Sequence, residues 1–149
     1  MRRMPHGAAN ARDLRSSQST QGIAMSKVSK ATAKKEEFGP VTDCNDEVDG
    51  YRIGFATFHQ DIDGTPLMKG LPDDMCQCPH WGYVLAGKVT FRFSDRDETY
   101  EAGDAFYTPP GHIPVKHEPG SEVLMFSPAD ELHKTEAVMM KNFQALQPA

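Results

Sequence analysis

Cys76-Gln77-Cys78-Pro79-His80-Trp81-Gly82-Tyr83-Val84-Leu85-Ala86-Gly87 is the stretch on which the fold turns. Three residues able to ligate a metal stand at 76, 78 and 80, every second position, the period at which strand side chains share a face. The run turns apolar at Trp81 and stops at Gly87. A second run, Gly103-Asp104-Ala105-Phe106-Tyr107-Thr108-Pro109-Pro110-Gly111-His112, follows an intervening hairpin and ends in a proline–glycine turn that carries a histidine. Together they predict a small β-barrel with a polar pocket.

The flanking sequence keeps the same rhythm. Tyr51, Ile53, Phe55 and Thr57 alternate with Arg52, Gly54, Ala56 and Phe58, and Val89, Phe91 and Phe93 alternate with polar neighbours. Residues 65–69, 99–101, 105–108, 114–118 and 122–127 read as further short strands between Gly- and Pro-rich turns. Asp61-Ile62-Asp63-Gly64 lacks the glutamate of a calcium loop and reads as a solvated turn. After them, Ser127-Pro128-Ala129-Asp130 offers a serine N-cap, a proline at the first helical position and an acid in the first turn. Leu132, Met139, Phe143 and Leu146 recur at helical spacing. One C-terminal amphipathic helix is therefore expected over residues 129–146, with a barrel over 40–128.

Residues 1–37 differ from the rest. Residues 1–35 hold eight Lys and Arg against one acid, a net +7, whereas residues 36–149 carry a net −12. The only large aliphatics before Phe38 are Leu14, Ile23 and Val28. Such a segment cannot build a core and reads as a disordered basic tail. Its Arg- and Ser-rich, acid-poor character resembles an organelle transit peptide, and Met25 offers an alternative start. The acidic domain is a poor partner for nucleic acid. No run approaches the ~18 apolar residues of a membrane span. The three cysteines, Cys44, Cys76 and Cys78, cannot all pair within the chain. They read as reduced thiols in a cytoplasmic setting.

The skeleton of the two runs resembles the cupin family, whose motifs are similar to G-x5-H-x-H-x3-E-x6-G and G-x5-P-x-G-x2-H-x3-N. Gly103, Pro109 and Gly111 match the start of the second motif. Gly87 matches the last glycine of the first, which places His80 at the glutamate position and Asp74 and Cys76 at the histidine positions. The remaining histidine position falls on Pro114, with His112 two residues earlier, and the asparagine position falls on Glu118. The resemblance covers roughly residues 50–127. It implies an all-β, double-stranded β-helix barrel of the RmlC-like jelly-roll type, and a homodimer formed through outer strands. In cupins these positions resemble a three-histidine, one-glutamate site for Fe, Mn, Zn, Ni or Cu.

The donors point to a metal site that departs from the family's usual one. Cys76, Cys78 and His80 at strand spacing, completed by His112, would make a four-coordinate zinc site. The alternative leaves the cysteines as small buried hydrophobes, with His80 and His112 as hydrogen-bonding residues of a metal-free binding or sensory pocket. His117, of opposite parity to His112 on an extended strand, ranks below it as a ligand-binding residue. His59 and His133 read as surface residues. Trp81 and Tyr83 should face away from the pocket, and Gly82 should leave room within it. No nucleophile elbow, phosphate loop or dinucleotide fingerprint is present. The expectation is a divalent metal, zinc favoured, beside a small organic ligand or substrate.

Overall fold

Residues 26–149 are described by the computed structural model; residues 1–25, most of the expected tail, lie outside them. Strands form where apolar and polar residues alternate: β1 Lys34–Phe38, β2 Val41–Val48, β3 Tyr51–Phe58, β4 His80–Ala86, β5 Lys88–Arg92, β6 Asp97–Glu101, β7 Ala105–Thr108, β8 Ile113–Val115 and β9 Ser121–Pro128. They make a six-stranded sheet in the order β1-β2-β3-β9-β4-β7 and a three-stranded sheet in the order β6-β5-β8. Every pairing within them is antiparallel. The sheets enclose a core of Ala56, Phe58, Val84, Val89, Phe91, Phe93, Phe106 and Val123. A helix, α1 (Ala129–Leu146), lies against it, with Leu132 and Met139 packed on a second cluster of Met68, Cys76, Cys78, Ile113 and Val115.

Two expectations about local structure are corrected. β1 begins inside the stretch read as tail. Its sequence, Lys-Lys-Glu-Glu-Phe, is polar because it is a charged edge strand: Lys34 pairs with Glu36 and Lys35 with Glu37, while Phe38 faces Val41 across the β1–β2 turn. Residues 65–69 form no strand. Pro66 removes a backbone donor, and Thr65–Leu67 turn as a 3₁₀ segment after Asp63 accepts hydrogen bonds from the Thr65 N–H and hydroxyl.

Two glycines of the decisive stretch explain their own positions. Gly87 adopts φ +75°, and a Cβ there would lie 2.3 Å from Ser121 Oγ. At Gly82 the room foreseen for the pocket is filled by the Phe106 ring, whose Cζ would lie 2.2 Å from an added Cβ. Phe106 in turn stacks on Tyr100 at 4.8 Å.

The register places a polar row on the inner face of the large sheet. Glu47 lies opposite Arg52, Arg52 opposite Ser127, and His80 opposite Thr108, with Ser127 and His80 joined by their side chains. The outer face carries aromatic groups instead. Trp81 and Tyr107 are 45% and 46% exposed and pack together at 5.1 Å, with Tyr83 and Phe126 also exposed beside them.

Candidate metal centre

Pro79 decides which donors meet. It cannot donate to a ladder, so β4 starts only at His80. Cys76, four residues earlier, is held separately by an antiparallel bridge to His112. There the Cys76 N–H donates to the His112 carbonyl at 2.8 Å, and the Gly111 N–H donates to the Cys76 carbonyl at 2.8 Å. The Pro109-Pro110-Gly111 turn thus presents His112 to Cys76, and the sheet presents His80 to both. One donor atom from each of these three residues lies within 4.8 Å of the other two, and all three residues are buried.

Each imidazole spends one nitrogen on the protein. His112 Nδ1–H donates to the Pro109 carbonyl at 2.7 Å; because a carbonyl only accepts, the proton is fixed on Nδ1 and Nε2 is left with a free lone pair. His80 Nδ1 lies 2.6 Å from Ser127 Oγ, while its Nε2 lies 3.7 Å from Cys76 Sγ. This is the arrangement of metal-binding histidines, with the outer nitrogen fixed and the inner one converging on the site. Burial pushes His80 down to about 3, helped by neighbouring His112, and lowers His112 as well, so both rings are neutral donors at pH 7. Burial raises the Cys76 thiol, which also lies near Thr135 Oγ1 of α1. A bound cation would oppose that rise, because coordination deprotonates a thiol.

The structure redraws the expected ligand set. Cys78 is 0% exposed, but its thiol points at the Pro79 and Pro128 carbonyls and it is not part of the cluster. Strand parity does not extend back through Pro79, so spacing alone overcounted the donors. Burial pushes Cys78 up to about 12, as expected for a small core residue. Asp74 lies in an exposed 3₁₀ turn and accepts the Gly70 N–H. His117 is not in the cluster, yet it is 1% exposed and lines the same cavity as His80 and His112. The parity argument against it fails because β8 ends at Val115 and Lys116 takes φ +48°, which turns the chain. His59 bonds Thr42 and His133 bonds Glu47, both at the surface.

Ser127 was hidden by its own motif. The serine-proline pair does precede the helix, but the N-cap residue is Pro128 and no side chain caps it; the Ser127 hydroxyl turns inward to His80. Cross-strand register with His80 was the signal that could have found it. The cavity itself, about 480 Å³, lies between the inner sheet face and α1, with the Cys76–His80–His112 cluster in its wall.

The family model of the cupin domain matches residues 77–123, from the decisive stretch to the start of β9. The barrel has the cupin fold. No curated protein matches the chain. Among solved structures, KdgF from Halomonas sp. is 18% identical with a TM-score of 0.51, over 70% of this chain and 94% of that one. A protein of unknown function from Rhizobium leguminosarum is 20% identical with a TM-score of 0.51, over 70% and 97%. The polyketide cyclase RemF from Streptomyces resistomycificus is 20% identical with a TM-score of 0.51, over 70% and 80%. At such identities this chain shares a fold with them, and its site has to be read from its own residues.

Proposed function

We propose that this cupin holds one divalent metal ion through Cys76 Sγ, His80 Nε2 and His112 Nε2, and binds a small organic ligand in the adjoining cavity. The observation that carries the proposal is the convergence of two neutral imidazoles, each fixed by its outer nitrogen, on a buried thiol. One sulfur and two nitrogen donors suit zinc, which accepts such mixed sets tetrahedrally and is not oxidised beside a thiolate. Three protein ligands leave a fourth position for a ligand or substrate, and the cavity adjoins it. The metal would supply a Lewis acid there. The protein's own contribution is to desolvate the position and fix the imidazoles; Ser127 holds His80, and the Pro109 carbonyl holds His112.

Elemental analysis of protein purified without a chelator or His-tag tests this reading. About one equivalent of zinc is expected, with large losses in Cys76→Ser and His112→Ala and none in Cys78→Ser. Less than a tenth of an equivalent after refolding with zinc overturns it. Ligand binding that survives such a result would favour the metal-free sensory reading.

The outer aromatic face supports a homodimer. Trp81, Tyr83, Tyr107 and Phe126 form an exposed apolar patch on one sheet face, enriched in the residue types of interface cores. Three free thiols agree with a reducing, cytoplasmic compartment. Among the described residues, no helix is long and apolar enough to cross a membrane.

A further inference from the structure

The cavity has a second polar end that the metal centre does not use. Arg52, Asp43 and Glu136 line it, from β3, β2 and α1. Ser127 separates Arg52 from His80 by register, so two strand spacings, roughly 10 Å, lie between this end and the metal centre. Gly54, Ala56 and Met125, small or flexible residues, also line the cavity.

The cation at this end is already spent. Arg52, the only Lys or Arg among the described lining residues, gives its two terminal nitrogens to Glu136 and Glu47. An incoming carboxylate or phosphate would meet those acids before it met a free cation. Individual hydrogen-bonding atoms, however, remain open. Arg52 Nε–H is buried and has no partner among the described residues, in a side chain 12% exposed. Asp43 takes one hydrogen bond there, from Asn45 to Oδ2, while its Oδ1 faces Gly54. His117 also lines the cavity; its Nδ1 lies 2.9 Å from the Val115 carbonyl and 3.3 Å from the Thr90 nitrogen, and its buried Nε2 has no partner among the described residues. Desolvation raises Asp43 to about 6, and an ammonium, which only donates, would leave Arg52 Nε–H unpaired beside it. A donor and an acceptor held open side by side suit a group that both gives and takes a hydrogen bond without carrying charge.

We propose that the cavity selects an uncharged amphiphile: an apolar body with an oxygen donor for the metal and a hydroxyl or carboxamide about 10 Å away, set against Arg52 Nε and Asp43 Oδ1. This rests on the reading that the cavity adjoins a metal site. It excludes simple organic acids, phosphates and amines as preferred ligands.

The test is a set of octanohydroxamic acids whose far end is methyl, hydroxyl, carboxamide, carboxylate or ammonium, titrated calorimetrically into zinc-loaded full-length protein. The hydroxyl and carboxamide probes should bind about tenfold tighter than the methyl probe, as one desolvated hydrogen bond supplies. The carboxylate and ammonium probes should bind no tighter than methyl. Asp43→Leu, which removes a poorly solvated carboxyl, and Gly54→Ala, whose Cβ would stand 2.9 Å from Asp43 Oδ1, should each erase the hydroxyl preference without changing zinc content. A charged probe that binds tightest, an order indifferent to the end group, or no binding by any probe overturns the proposal. A second arm uses metal-free protein with octane, 1-octanol, octanoate and octylamine displacing an uncharged dye. Alcohol preference there with no zinc uptake would sink the metal reading alone; zinc uptake with no alcohol preference would sink this one alone.

Discussion

Ser127→Ala isolates the one contact that orients His80. The hydroxyl lies 2.6 Å from His80 Nδ1, and both residues are buried, so water cannot replace it without rearrangement. A zinc ion on Nε2 requires the proton to sit on Nδ1 and to be donated to Ser127 Oγ. Removing the acceptor then leaves a buried N–H unpaired, at a cost of about 1–3 kcal/mol. That cost falls on the metal-bound tautomer. In the metal-free protein the ring can place its proton on Nε2, beside the Cys76 sulfur 3.7 Å away, so part of the penalty is avoided. The difference appears as a loss of about 10–100-fold in zinc affinity, in line with other outer partners of metal-bound histidines. Competition against a chromophoric chelator measures it, with urea unfolding in EDTA recording the metal-free cost separately. Ser127→Thr, which keeps the hydroxyl, should recover most of the affinity. Unchanged zinc affinity in Ser127→Ala, or an equal loss in Cys78→Ser, would refute the assignment of His80 Nε2 as a ligand.

Metal-free protein should lose stability in mild acid. His80 and His117 have folded values of about 3 and 4 against 6.5 for the free group, and burial lowers His112 too, so unfolding takes up protons at all three rings as pH falls below about 6.5. Asp43, raised to about 6 from 3.8, and Glu136, also raised by burial, work in the opposite sense and offset part of this. The net slope near pH 5 is of order 1 kcal/mol per pH unit, stability falling with pH; urea midpoints at pH 7 and 5 measure it, and a flat or inverted profile contradicts it. Gly82→Ala forces a methyl into the Phe106 ring and should cost about 3 kcal/mol or more, with Phe106→Leu in the same chain restoring part of it in urea melts. Trp81→Glu with Tyr107→Glu should convert the proposed dimer into a species of 16.5 kDa in light scattering, leaving zinc content unchanged. An unaltered mass would place the interface elsewhere.

The barrel was legible because its signals are local. Alternation in Tyr51–Phe58 and His80–Ala86, and glycines at 87 and 103, depend on neighbours a few residues away, and the strands form where those signals stand. β1 escaped because an edge strand need not be apolar, and its composition is that of a tail. The centre was legible only in part. His80 and His112 were visible as donors at turn and strand positions, but the rule that joined Cys78 to them assumed a continuous strand that Pro79 does not allow.

What remained hidden depends on register across strands that are far apart in sequence. Arg52, Ser127 and His80 come from three different strands, and none is unusual where it stands in the chain. Their meaning lies in being successive members of one row, from a guanidinium to a hydroxyl to an imidazole. The same row explains why sequence motifs fail at this site. In a barrel the residues that define a pocket are neighbours across the sheet, so a substitution at one motif position can be offset by a donor from another strand. Here Pro114 cannot ligate, and the turn two residues earlier supplies His112 from a backbone bridge to Cys76. Glycine and proline positions set the barrel's shape, whereas the identity of its donors is set by which side chains that shape brings within reach.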